Sequence, residues 1–200
     1  MIPRHLKFGI VATLLTALIV GFLTGRERRL ARQSETPATY TRPVAPPASG
    51  ASERVTLYVA YDDPGVLLPQ ASVIPLAGGR QQRAEQLLRA LMDVYTAKSS
   101  PHPLGPGADV RNFYLVDPGL AVIDLNAAFA AGHRSGILVE ELTVVSLVET
   151  LTYNTPGITR VKILVNGQEQ DTLAGHADLS RIYEAASAGD LLNQMRAQSN

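Results

Sequence analysis

An α+β domain carried behind an N-terminal transmembrane helix is the fold class that this 200-residue sequence predicts. Three observations lead to it. One uncharged apolar run stands near the N-terminus, a Pro-rich stretch follows it, and from residue 55 onward segments of apolar alternation are interleaved with segments of helical periodicity. Read in order, those segments give β-β-α-β-β-α-β-β, with two helices packed on one face of a mainly antiparallel sheet. The neutral net charge hides a division: residues 1–54 carry eight Arg and Lys against three Glu, and the remainder carries the opposite excess. A basic leader and an acidic body point to two environments.

Residues 1–32 are expected to be a membrane anchor with basic flanks. The run FGIVATLLTALIVGFLTG, residues 8–25, would span about 27 Å as a helix, enough to cross a hydrocarbon core. Its bilayer contacts would come from Phe8, Ile10, Val11, Leu14, Leu15, Leu18, Ile19, Val20, Phe22 and Leu23. The run meets RERRLAR rather than a small-residue cleavage site, so a retained signal anchor is expected. Arg26, Arg28, Arg29 and Arg32 outnumber Arg4 and Lys7, which by charge alone would keep the body cytoplasmic. Residues 33–54 hold Pro37, Pro43, Pro46 and Pro47 among small polar residues and are expected to be a flexible tether. The P-x-x-P that Pro43 and Pro46 form is read as part of the spacer.

In the body, VTLYVAY alternates as a strand with Val55, Leu57, Val59 and Tyr61 on one face. The turn Asp62-Asp63-Pro64-Gly65 leads to VLLPQASVIPL, whose prolines mark an edge strand. RQQRAEQLLRALMDVY is an amphipathic helix with Ala84, Leu87, Leu88, Leu91, Met92 and Tyr95 on its apolar face. A Pro- and Gly-rich loop follows, then the strands DVRNFYLV and LAVIDL joined through Asp117-Pro118-Gly119. A second helix is expected from Gly136 to about Tyr153, burying Leu138, Leu142, Val145, Val148 and Leu151, with Glu140 and Glu141 near the positive end of its dipole. RVKILV, Asn166-Gly167 and QEQDTLAG read as a hairpin with a type I′ turn. Residues 181–200 are expected to be a helical extension that frays, starting near Ser180.

Composition and motifs narrow the chemistry. The absence of Cys removes disulfides, thiolate metal sites and a lipidated cysteine, and the absence of Trp with an acidic body argues against nucleic acid. No phosphate-binding glycine motif is present, and Ser99, Ser135 and Ser146 lack a G-x-S-x-G setting. His5, His102, His133 and His176 show no metal-ligand spacing on a helix and are expected to be solvated loop residues. Asp124 is expected to cap a turn or face solvent. No catalytic residue, metal or cofactor is expected.

The quoted segments together resemble the GerMN domain (sporulation and spore germination domain) family over residues 55–180. The resemblance rests on VIDLN-x-x-F, VETLT, PGI followed by ILVNG, and GHADLS, and it singles out Asp124, Asn166, Gly167, Gly175, His176 and Asp178 as structural motif positions. It implies an extracytoplasmic, non-enzymatic domain on a lipoprotein or a single N-terminal anchor. With no cysteine, the anchor here would be the apolar helix. The expected partners are the bilayer through residues 8–25 and an envelope protein or further copies of the chain, with a small-ligand or cell-wall binding module as the alternative. The extracytoplasmic placement runs against the Arg count.

Overall fold

The computed structural model describes residues 50–116, 118–188 and 190, within the second of two compact units of the chain, Pro43–Asn200. The anchor expected at residues 8–25, the tether up to residue 49 and the last ten residues lie outside the described residues. Among the described residues no helix is long and apolar enough to cross a membrane.

The strands β1 (Ser52–Tyr61) and β2 (Val66–Pro75) form an antiparallel two-stranded sheet. Helix α1 (Arg80–Thr96) follows, then β3 (Val110–Val116), β4 (Leu120–Leu125), the short α2 (Ala127–Ala131), the long α3 (Ile137–Asn154), β5 (Arg160–Val165) and β6 (Ile182–Glu184). The last four strands make a second sheet in the order β3-β4-β5-β6. Phe113, Ala121, Ile123, Val161 and Ile163 on its inner face share one core with Leu57 and Val59 of β1, Leu87 and Leu91 of α1, and Leu142, Val145 and Val148 of α3.

The α+β class is as expected, and five features differ. The strands divide into two sheets instead of one. β4 and β5 run parallel, because α2 and α3 carry the chain back to the starting end of β4, and a crossover of that kind leaves the next strand pointing the same way. QEQDTLAG forms no strand, only two isolated bridges, Val165 with Gln168 and Thr172 with Asp178. The place beside β5 belongs to β6, where Val161 pairs with a buried Tyr183. The segment expected to start a helix near Ser180 therefore contributes a strand, and helical residues begin at Ala185. Leu138, expected on the buried face of α3, is 43% exposed.

A two-stranded sheet has two free edges and little stability of its own. In β1 the outward backbone groups of Thr56 and Tyr58 are taken by α3. Asn154 Nδ2 donates to the Thr56 carbonyl at 2.6 Å and its Oδ1 accepts from the Thr56 N–H at 3.1 Å. One and two turns earlier along α3, Thr150 Oγ1 accepts from the Tyr58 N–H at 2.9 Å and Ser146 Oγ donates to the Tyr58 carbonyl at 2.6 Å. The Tyr95 hydroxyl of α1 accepts from the Ala60 N–H at 2.8 Å and meets Ser146 Oγ at 2.5 Å, so one hydroxyl chain joins both helices to the strand. Burial pushes the Tyr95 phenol well above its ordinary range.

The other edges are closed differently. Thr56 and Tyr58 point their backbone groups away from β2, so their partners Ala71 and Pro69 point theirs away from β1. Pro69 thus sits where its missing N–H costs the ladder nothing. On β3, the Gln81 amide of α1 donates to the Phe113 carbonyl at 2.6 Å and accepts from the Leu115 N–H at 3.2 Å, imitating a strand.

Replacing Asn154 by Ala leaves both Thr56 groups without partners and is expected to cost about 2–3 kcal/mol of stability. Urea denaturation measures the loss, and concentration-dependent association of the variant would report the opened edge.

Candidate functional site

The polar residues of the body gather around the N-terminal half of α3. Glu140, on its first turn, is fully buried. Its Oε2 accepts from the backbone N–H groups of Ala174, His176 and Ala177, each at 2.9 Å. Its Oε1 accepts from the Gly136 N–H at 3.1 Å and from His176 Nδ1 at 2.8 Å. Burial alone would raise the pKa of this carboxyl, but the His176 hydrogen bond and the three backbone N–H groups outweigh it and hold the value down at about 2. Glu140 therefore clamps the GHADLS segment to α3. Gly175, at φ +118°, gives the backbone the curvature that turns the donors on either side of it toward one oxygen.

This arrangement does not form a nucleophilic relay. Ser135 Oγ lies 3.4 Å from His176 Nδ1, the same nitrogen that already serves Glu140. A general base needs its acid partner and its nucleophile on opposite ring nitrogens.

A second network lies beside it. Asp62 Oδ1 is 2.6 Å from His102 Nδ1, while His102 Nε2 and His133 Nε2 stand 2.6 and 2.7 Å from the same Thr143 hydroxyl. Arg134 pairs with the other oxygen of Asp62 and offers its carbonyl to His133 Nδ1 at 2.7 Å. His102 is 1% and His133 8% exposed. Both rings are less basic than an ordinary histidine because burial disfavours their charged forms, and the Asp62 bond only partly offsets this at His102. The expectation that these histidines are solvated loop residues is thus corrected for both. Their partners come from separate segments, so nothing local marked them as buried.

The motif positions each have a structural place. Asp124 is buried on the outer face of β4, where Oδ1 accepts from the Gly167 N–H at 2.7 Å. A bulge between Val110 and Asn112 lets both Arg111 and Asn112 reach its Oδ2 at 3.3 Å. The carboxylate does cap a turn, the one after β5. Asn166 and Gly167 have φ of +54° and +76°, the two positive values that a type I′ turn needs. Asp178 accepts from both the N–H and the hydroxyl of Ser180, which draw its pKa down. His133, His176 and Asp124 stand in three separate networks. Among the described residues no group of three or more His, Asp or Glu could hold a metal ion.

The sequence model of the Germane family, described as sporulation and spore germination, matches residues 56–171. The chain belongs to the Germane family. Among solved structures, the tandem GerMN domains of the sporulation protein GerM from Bacillus subtilis match with a TM-score of 0.52 and 20% identity. That match covers 68% of this chain and 48% of the other, so the Germane body spans about half of the tandem. The first GerMN domain of the same protein matches at TM-score 0.43 and 22% identity, over 64% of this chain and 98% of that one. A candidate lipoprotein from Clostridium perfringens matches at 0.45 and 23%, over 67% and 88%. No curated protein matches the sequence. The Germane match begins within β1 and ends at Asp171, short of the GHADLS segment that Glu140 holds.

Because the folded carboxyl of Glu140 titrates below its unfolded value, its contribution is present above pH ~4.5 and is lost as pH falls toward ~2, on the order of 3 kcal/mol in full. Glu140→Gln is expected to remove a similar amount at neutral pH and to flatten the acid limb of the stability curve. Thermal unfolding between pH ~2 and ~7 checks both.

Proposed function

We propose that this Germane-family chain is a membrane-tethered, non-enzymatic protein of the cell envelope whose folded body works by contacting other proteins, partner or further copies. The observation that carries the reading is the outer face of the four-stranded sheet. Tyr114, Val122, Lys162 and Ile182 stand in register across all four strands. Tyr114 and Ile182 are 50% and 43% exposed, and Val116 of the next row is 46% exposed. Arg160 and Glu184 continue that row and set charge beside the apolar side chains. A face of this composition suits protein contact better than bulk water.

The polar residues support the non-enzymatic part of the reading. Glu140, Asp124, His102 and His133 are engaged in bonds that hold backbone or neighbouring side chains. Membership in a family described by sporulation and spore germination supports the envelope setting and, against the Arg count, a body outside the cytoplasm, while the uncharged run at residues 8–25 supports a single-pass tether.

A second reading, a small-ligand or cell-wall binding module, draws on a pocket of about 200 Å³ beside the GHADLS segment, lined by Glu141, Val144, Val145, His176, Asp178 and Arg181 among others. A thermal-shift screen with wall fragments separates it from the first reading, which expects no shift.

Protease treatment of intact spheroplasts is expected to degrade the body while leaving the anchor in the membrane. Protection until the membrane is permeabilised would place the body in the cytoplasm and refute the envelope assignment. Crosslinking in the same membranes is expected to give a product that Tyr114→Asp abolishes while its unfolding midpoint stays unchanged. A product insensitive to that change would remove the sheet face from the reading.

A further inference from the structure

The Thr143 hydroxyl is surrounded by more acceptors than it can serve. It lies 2.6 Å from His102 Nε2, 2.7 Å from His133 Nε2 and 3.0 Å from the Val139 carbonyl. The far nitrogen of each ring is committed as a donor, since a carboxylate faces His102 Nδ1 and a carbonyl faces His133 Nδ1. A neutral imidazole carries one N–H, so with both rings neutral both Nε2 atoms are bare lone pairs. One hydroxyl hydrogen then stands before three acceptors, and one short contact between lone pairs is left unrelieved. A single added proton resolves this. With His102 charged, its Nε2–H donates to Thr143, Thr143 donates to His133 Nε2, and His133 donates to Arg134. The chain is then complete from the Asp62 carboxylate to the Arg134 carbonyl.

We propose that Asp62, His102, Thr143 and His133 form a one-proton latch, completed by the first proton and opened by the second. The latch ties the turn after β1, the loop between α1 and β3, and the connection between α2 and α3 to the body of α3. The charges around it favour His102 as the site of the first proton. Asp62 bonds directly to that ring, which outweighs the pull of Glu140 on His133, while Arg134, drawn to the other oxygen of Asp62, opposes charge on both rings. The remaining neighbours are uncharged: the Tyr95 ring meets His102 edge-on at 4.9 Å and Phe129 stacks on His133 at 6.1 Å. A second proton would set two cations in rings 6.0 Å apart inside the core. Burial keeps both steps below the ordinary histidine range, so unfolded histidines bind protons that the folded pair refuses. The pair therefore subtracts stability as pH falls below ~6.5, the completed chain offsetting only part of the cost of burying the first proton and nothing offsetting the second.

Opening has a definite output. The 133–136 connection leads directly into Ile137 and Leu138, which are 64% and 43% exposed. Leu138 lies against Gly65 of the latched turn, close enough that a Cβ there would stand 2.7 Å from its Cδ2. Releasing the latch separates these segments and uncovers the part of Leu138 that Gly65 covers, enlarging an apolar patch already half exposed.

Imidazole NMR on the full-length protein in detergent micelles, from pH ~7.5 to ~4, tests the proposal. His102 and His133 are expected to share one step of about one proton below pH ~6.5, and a lower second step is expected to bring protease sensitivity at residues 131–138. Thr143→Val is expected to uncouple the rings into separate titrations, while Thr143→Ser keeps the shared step. Independent titration of the two rings in the unmodified protein overturns the proposal. So does a shared step that persists in Thr143→Val, and if that variant does not fold, loss of the shared step in Thr143→Ser does the same.

Discussion

The contact on which the rest of the body depends is the one between the polar stripe of α3 and the outer edge of β1. A strand edge is a row of donors and acceptors that must find partners or water, and a β1–β2 ribbon in isolation would be marginal. Ser146, Thr150 and Asn154 recur every four residues, close to one helical turn, while Tyr58 and Thr56 recur every two along the strand. The two periods match in length, about 6 Å per step on each side. Helix and strand can therefore lie alongside one another and exchange bonds at successive steps. Each bond contributes modestly, about 1 kcal/mol net, but leaving its backbone partner bare in the core would cost more than the bond is worth. The ribbon is held by geometry as much as by apolar burial.

The same helix organises the far side of the domain. Its first turn carries Glu140, which draws three backbone amides of the 174–177 segment onto one carboxylate oxygen, and Thr143 one turn later collects the two histidines. α3 is consequently buried on nearly every side, with polar groups facing polar groups and apolar groups facing the sheet. An ordinary amphipathic helix presents one face to solvent. This one acts as a central post to which the strand ribbon, the loop before β6 and the turn after β1 are each fastened. Loss of a polar side chain here acts on long-range architecture rather than on local helix content.

Elements were legible in the sequence where their order was local. The apolar spacing of α1 marked all six of the side chains it buries, and the ends of β4 and β5 were set by turn residues. Asn166-Gly167 announced its turn correctly, yet the strand expected after it did not form, because β6 takes the place beside β5 and the Ala174 N–H at the segment's end is claimed by Glu140. What could not be read depended on distant partners. The Asn154 and Thr56 bonds join residues 98 positions apart, so nothing local announced them. His102 and His133 looked solvated because the groups that bury them come from the β1–β2 turn and from α3. The family resemblance pointed to His176, Gly175 and Asp178 without giving their purpose, and Glu140, which supplies that purpose, was noticed only for its place near the helix dipole.

The closed strand edges have a consequence for how the domain can make relationships with other molecules. β1 is occupied by α3, the outer groups of β3 are answered by Gln81, β2 places Pro69 where an incoming strand would seek an N–H, and β6 is three residues long. Backbone pairing is nearly blind to sequence, and a protein that recruits by it accepts many partners of similar shape. With that mode shut, recognition falls to side chains on faces, where a single substitution can alter the choice of partner without disturbing the fold. Such a body keeps its architecture constant while its contacts are free to diverge, which suits a module reused beside different companions.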